Sequence, residues 1–287
     1  MNYTNLRLLN FLSEWVFPPK FWSAFRHIQR NITVGFGKDS EIFARNRKFH
    51  KIYSGQRCFI IGNGASLEKQ DLSPLSGEIT IVMNAFNQHP ILNVWQPTFL
   101  CMADPYLLPG RLKHYLENIH PKASFFNYGL FGRFKEENLF DQDKHFFVKM
   151  DWGQLINWPT HKSFDLVKPL PATWNTAHLA IMLALYSGCS AIYLIGFDHD
   201  WLSYCIEKRN YVKHFYDPEK CQKFFSYSDD AVSYKRLMEV ILTIWRGYEV
   251  IQKVAAEEKA QIYNATEGGF LDLFPRVKYE SLFPAGK

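Results

Sequence analysis

Arg57-Cys-Phe-Ile-Ile-Gly-Asn-Gly-Ala-Ser-Leu67 decides the fold. Its apolar run, Cys58–Ile61, is of strand length and stops at two glycines. Strands buried on both faces of a parallel sheet read as continuous apolar runs, so this stretch predicts a strand followed by a tight turn. The pattern recurs: Ile79–Met83, Thr98–Ala103, Ala123–Phe126, Ala191–Ile195 and Gln261–Tyr263 all read as strands. Ala177–Tyr186 reads as a helix that Asn175 or Thr176 caps and Ser187-Gly188 ends. A long helix is predicted over 229–258 behind Ser228, with Leu237, Val240, Ile241, Ile244, Tyr248, Ile251 and Ala255 on its apolar face. Short strands alternating with helices predict an α/β fold, a Rossmann-like, doubly wound, mostly parallel sheet.

The ends of these strands carry the chemistry. Asn84, Asp104, Asn127 and Asp198 each follow an apolar run, the first run ends in Gly62-Asn63-Gly64-Ala65-Ser66, and the last in Asn264. In open α/β sheets ligands bind at the carboxyl ends of the strands, so these residues are expected on one rim. Two glycines permit close backbone approach, and free N–H groups there suit a phosphate, with Ser66 as a candidate cap. A merely structural turn fits the same residues. The dinucleotide fingerprint is absent, because a third glycine would fall at Leu67, and no Gly-Lys-Ser/Thr follows to make a Walker loop. Asn175-Thr176 at a helix start is a second candidate anion site or a plain N-cap. Asp198-His199-Asp200 suits a divalent metal beside a diphosphate, since hard oxygen ligands favour Mg²⁺; the alternative is that Asp198 binds hydroxyls or backbone.

Residues 199–228 read as a lid. From Tyr204 to Ser228 the chain is rich in Lys, Tyr, Phe and His without strong periodicity, and long irregular stretches often serve as binding loops. Within it His214 is a candidate general base, because an imidazole titrates near neutral pH; a solvated surface histidine is the plainer reading.

The whole chain has 287 residues, 47% hydrophobic and 21% charged, an ordinary globular balance that excludes wholesale disorder. Its net charge of +5 is unevenly placed: residues 1–51 carry nine Lys/Arg against three acids, so the remainder is near neutral. This division predicts a basic N-terminal arm over 1–51 and a nucleotide-binding catalytic domain over 52–287. Leu8, Phe11, Leu12 and Trp15, then Phe21, Phe25, Ile28 and Ile32, form two helical stripes. They predict either a helix pair packed on the domain or an interfacial anchor, residues 1–35, for an anionic membrane surface. No apolar run is long enough to span a bilayer, and Glu14, Pro18 and Pro19 interrupt any signal-peptide pattern. Five cysteines without CxxC spacing suggest neither a disulfide framework nor structural zinc. The expected location is the cytoplasm, peripheral on the inner face of the membrane if the arm is an anchor. Nucleic acid is not an expected partner.

The opening segment, with Asp71-Leu-Ser-Pro-Leu75, resembles a family of bacterial surface-polysaccharide clusters related to archaeal 6-hydroxymethyl-dihydropterin diphosphokinase. It is also similar to the family 42 sialyltransferases, whose turn reads Gly-Asn-Gly-Pro-Ser. Val82-Met-Asn84, Gln96-Pro-Thr98 with Asp104, Ala191-Ile-Tyr-Leu-Ile-Gly-Phe-Asp198, and Ile262-Tyr-Asn-Ala-Thr266 with Gly268-Gly269 extend the similarity over about residues 55–278. The resemblance implies Asn63, Gly64 and Ser66 at a donor phosphate or ribose and Asn84 at the sugar or cytidine. Asp104 replaces a donor-binding Asn, Asp200 replaces a phosphate-binding Tyr, and Tyr204 stands near a second. His214 falls in the region of the family's catalytic His.

The expected function is therefore a glycosyltransferase with His214 as base. It takes a sugar, sialic-acid-like on this resemblance, from a CMP-linked donor to a glycan or lipid-linked glycan. The donor site would use Gly62, Asn63, Gly64, Ser66, Asn84, Asp104, Asn175, Thr176, Asp198 and Tyr204, with no cofactor. The alternatives are a pyrophosphokinase for a pterin-like alcohol, with Mg²⁺ on Asp104, Asp198 and Asp200, and a non-catalytic nucleotide-sugar binder.

Overall fold

The computed structural model describes residues 40–107, 110–206, 214–216 and 234–283. In chain order these form α1 (Ser40–Ala44), β1 (Arg57–Ile61), β2 (Ile79–Met83), β3 (Phe99–Met102), α2 (Arg111–Leu116), β4 (Ala123–Asn127), α3 (Phe131–Glu136), β5 (His145–Val148), β6 (Met150–Gln154) and β7 (Leu170–Ala172). Then follow α4 (Thr176–Tyr186), β8 (Ala191–Ile195), α5 (Trp201–Ile206), α6 (Tyr234–Glu257) and β9 (Gln261–Asn264).

Seven strands make one parallel sheet in the order β5-β4-β3-β2-β1-β8-β9, and β6 pairs with β7 apart from it. The fold is thus the expected Rossmann-like α/β arrangement. Strand order reverses at β1: the chain builds outward to β5, then returns to the other side of β1 with β8. Cys58 lies opposite both Ile79 and Ile192.

Successive side chains of a strand face opposite ways. Cys58 and Ile60 accordingly enter one core, with Ile181, Tyr248 and Ile251, while Phe59 and Ile61 enter the other, with Leu67, Phe86 and Phe134. Both faces are covered, which explains why Cys58–Ile61 is apolar without alternation. Helix α4 is buried along all 11 residues, between the sheet and α6, and its sequence is correspondingly apolar all round.

Six of the sheet strands match the apolar runs, β3 being shorter by one residue at each end than the run that marks it. β5, β6 and β7 carry three to five residues each and lack a distinctive pattern. Helices α2 and α3, of six residues, are too short to show a period, and α5 occupies the start of the stretch read as irregular. The proposed start of the long helix at 229 and its Ser228 cap lie outside the described residues, as does most of the lid.

The basic arm is described only from Ser40, and its two predicted helices lie outside the described residues. Residues 40–49 pack into the domain. The Phe49 ring meets those of Phe146, Phe125 and Phe99 edge-on at 4.7, 4.9 and 5.6 Å. Buried Asn46 donates to the carbonyls of Phe147 and Leu166, each at 2.8 Å. Among the described residues no helix is long and apolar enough to cross a membrane, and Cys58, Cys101 and Cys189 are free and buried.

Candidate active site

A cavity of ≈ 180 Å³ opens where strand order reverses, at the carboxyl ends of β1, β2 and β8. Gly62, Asn63 and Gly64 form one wall, and Met83 and Asn84 the next. The start of α4 (Asn175–Ala177) and the β8 turn (Gly196 to Asp200) complete it, with Trp201 and His214 at its edge.

The Gly-Asn-Gly turn is first an answer to packing. A Cβ on Gly62 would collide with the Gly196 carbonyl oxygen, and one on Gly64 with the Asp198 carboxylate. The β1 and β8 turns lie backbone to backbone, held by Gly62 N–H to Ile195 O at 2.7 Å and Gly64 N–H to Gly196 O at 3.0 Å. Ser66 sits inside a 3₁₀ turn, Ala65–Lys69, not at the head of a long helix. Its N–H donates to Asp198 Oδ2 at 2.9 Å and its hydroxyl to Asp198 Oδ1. Burial pushes the Asp198 carboxyl above its ordinary range, and the Ser66 bonds partly offset this. Ser66 and Asp198 therefore clasp the two turns together.

Asn84 ends β2 in the left-handed region, φ 49°, a conformation Asn tolerates better than most residues. Its Oδ1 accepts from the Thr176 hydroxyl at 3.1 Å, and that hydroxyl in turn accepts from Ala103 N–H at 3.3 Å. The Nδ2 group of Asn84 is left as the donor on the cavity wall. Asn175 caps α4 by accepting from His178 N–H at 3.0 Å. The N–H groups of Thr176 and Ala177 lie in the first turn, where no helical partner exists, and the helix dipole adds partial positive charge.

His214 is pinned to the turn. Its Nδ1 lies 3.0 Å from Asn63 O, and Phe215 N–H donates to the same oxygen at 3.2 Å. A carbonyl only accepts, so Nδ1 carries the proton and Nε2 keeps its lone pair. Burial lowers the His214 pKa; the Asn63 bond, Asp200 and Asp198 act against it. The result is a neutral imidazole with a basic nitrogen.

Other strand-end residues serve local turns. Asp104 is exposed and accepts from Tyr106 N–H at 2.8 Å. Asn127 bridges Ala103 O and Gly129 N–H, and Asn264 bridges Leu271 O and Thr266 N–H. None of the three lines the cavity. Tyr204 falls in α5. Among the described residues no three His, Cys, Asp or Glu side chains gather as a metal site. Asp104 is on a separate turn and Asp198 is engaged by Ser66, so the trio considered for Mg²⁺ does not form a donor set.

Sequence reasoning missed His199 and Tyr248. Tyr248 OH lies 2.8 Å from His199 Nε2 and receives Asn175 Nδ2–H at 3.1 Å. A polar residue on the otherwise apolar face of α6 was the available signal.

No protein-family model matches the chain, and no curated protein does. One similar solved structure is titled "Structure of MAf glycosyltransferase from Magnetospirillum magneticum AMB-1", at 13% identity and a TM-score of 0.48. The match covers 86% of this chain and 39% of that one, so the chain spans about two fifths of that protein's length.

Proposed function

We propose that this chain is a glycosyltransferase that moves a sugar from a nucleotide donor, CMP-linked, to a glycan hydroxyl. One observation carries the reading: a neutral histidine with a basic nitrogen, His214, borders a cavity that Asn84 and the start of α4, with their uncharged N–H groups, also line. In the reaction His214 Nε2 takes the proton of the acceptor hydroxyl while its oxygen bonds to the anomeric carbon. The bond from that carbon to the phosphate oxygen breaks, and the nucleotide leaves with the electron pair. The N–H groups of Thr176 and Ala177 and the Asn84 amide would stabilise the charge on the departing phosphate. A donor with a single phosphate suits such a wall, since it needs no divalent ion to offset a diphosphate's charge. The Gly62–Ser66 turn sets the cavity's shape.

Thermal shift with CMP, UDP, GDP and ATP, each with and without Mg²⁺, tests the reading, because a ligand that binds the native state raises its melting temperature. Stabilisation by CMP without Mg²⁺ is expected. Stabilisation by ATP only with Mg²⁺ would sink it and favour pyrophosphoryl transfer.

A further inference from the structure

Behind the cavity lies a hydrogen-bond chain that runs from the α4 backbone through Asn175 and Tyr248 to His199. Asn175 Oδ1 accepts from the α4 backbone at His178 N–H, so its Nδ2 is the donor at the other end. Nδ2–H donates to Tyr248 OH at 3.1 Å. The Tyr248 hydroxyl, already accepting, has its own proton to give, and 2.8 Å away stands His199 Nε2. A neutral imidazole that accepts at Nε2 carries its proton at Nδ1.

His199 itself lines the cavity and makes no hydrogen bond through Nδ1 within the described residues. Its backbone is in the left-handed region, φ 49°, which is uncommon outside glycine and is retained where surrounding structure enforces it. The ring is enclosed by uncharged neighbours. Phe197 stacks on it at 5.8 Å, Trp201 lies at 4.5 Å, and Trp245 and Tyr248 at 5.3 and 5.5 Å. His178, behind Tyr248 at 4.4 Å, is itself buried and spends its Nε2–H on Ile244 O. The charged groups nearest in sequence are Asp198, turned to Ser66, and Asp200. Burial, helped by His178, lowers the His199 pKa to about 3.

We infer that His199 is a permanently neutral N–H donor, its tautomer set by Asn175 and Tyr248, that binds an oxygen of the phosphate entering the cavity. The ligand half of this inference rests on the nucleotide-donor reading; the tautomer half does not. His214 and His199 would divide the work, one imidazole presenting a lone pair and the other a proton. Tyr248 is a positioning residue, since it acts only through His199.

Imidazole ¹⁵N–¹H correlation spectra of the full chain, recorded from pH 5 to 8, test it, with CMP and inorganic phosphate as probes. The expected result is an Nδ1–H tautomer for His199 that does not titrate, and an Nδ1 proton that shifts when either probe is added. Tyr248→Phe should release the tautomer, giving mixed or Nε2–H signals, while His199→Asn, which tolerates the left-handed backbone, should weaken CMP binding about tenfold with the melt preserved. An Nε2–H tautomer in the native chain, or titration near 6.5, overturns the inference. So does a native spectrum in which neither probe moves Nδ1. A shift with inorganic phosphate but none with CMP supports His199 as the anion's donor and counts against the CMP-donor reading alone. If both variants melt cooperatively and bind CMP as the native chain does, the role is structural and the inference fails.

Discussion

Ser66 gives both its backbone N–H and its hydroxyl to the carboxylate of Asp198, 132 residues further along the chain. The contact joins the turn after β1 to the turn after β8, which are the two sides of the cavity. Asp198→Ala leaves the Ser66 N–H without its acceptor in a partly buried place, an expected loss of about 1–3 kcal/mol. Asp198→Asn keeps one acceptor and should lose less. Denaturant melts of the two variants give the order; equal stability of Asp198→Ala and the native chain would show that the carboxylate is no clasp.

Gly62 meets backbone, and backbone cannot swing aside. Gly62→Ala is therefore expected to destabilise by about 1–3 kcal/mol through forced displacement of the Gly196 peptide. Gly77→Ala, where a Cβ meets open space but φ is 85°, separates the two causes of glycine preference. Its loss should come from backbone conformation alone, and nucleotide binding should survive in it but not in Gly62→Ala.

His214→Ala should abolish transfer, with kcat down by roughly 10²–10⁴, while CMP still raises the melting temperature. Because burial lowers the His214 pKa, the base is active into mildly acidic conditions. The acid limb of kcat/KM should lie below 6.5, the ordinary histidine value. A limb above 7, or an undiminished rate in the variant, would remove the base.

His178 makes the fold acid-sensitive. Burial lowers its pKa to about 3, against an ordinary 6.5. Between these values the unfolded chain binds the proton and the folded chain does not. Its contribution is thus complete above 6.5 and declines as pH falls, by about 1.4 kcal/mol per pH unit. Urea melts at pH 7.5, 6 and 5 should show this decline, and His178→Asn should make it shallower without removing it, because burial also lowers His199, His145 and His89. A pH-independent native midpoint would contradict the burial.

Removing the Phe49 ring tests where the domain begins. Phe49→Ala should cost about 3–5 kcal/mol, since three aromatic rings lose a partner. A chain begun at residue 52 should fail to melt cooperatively; if it melts as the full chain does, residues 40–51 are dispensable.

What could be read from the sequence follows from how local each feature is. Cys58–Ile61, Ile79–Met83 and Ala191–Ile195 show themselves because both faces of the sheet are covered, which makes the strands continuously apolar. Helix α4 shows itself through its Asn175 cap. His145–Val148 does not, being four residues opened by a His that burial alone makes apolar in use. Within the site, Asn84 is marked by the strand it follows, whereas His214 is held by the Asn63 carbonyl, 151 residues away. The repeated polar strand end also marks Asp104, Asn127 and Asn264, where it closes turns instead of lining the cavity. His199 could only be misread next to two aspartates, because its meaning depends on Tyr248, 49 residues away.

The reversal of strand order at β1 also sets when the cavity can exist during synthesis. β1 and β2 leave the ribosome with the Gly62–Ser66 turn complete. Asp198 and the β8 turn that backs it follow more than a hundred residues later, and Tyr248 later still. A nascent chain halted before β8 can pair five neighbouring strands and bury aromatic rings, yet it lacks the β8 turn that completes the cavity. The cavity is therefore a property only of chains translated past the β8 turn, and on the nucleotide-donor reading shorter products would not hold the donor.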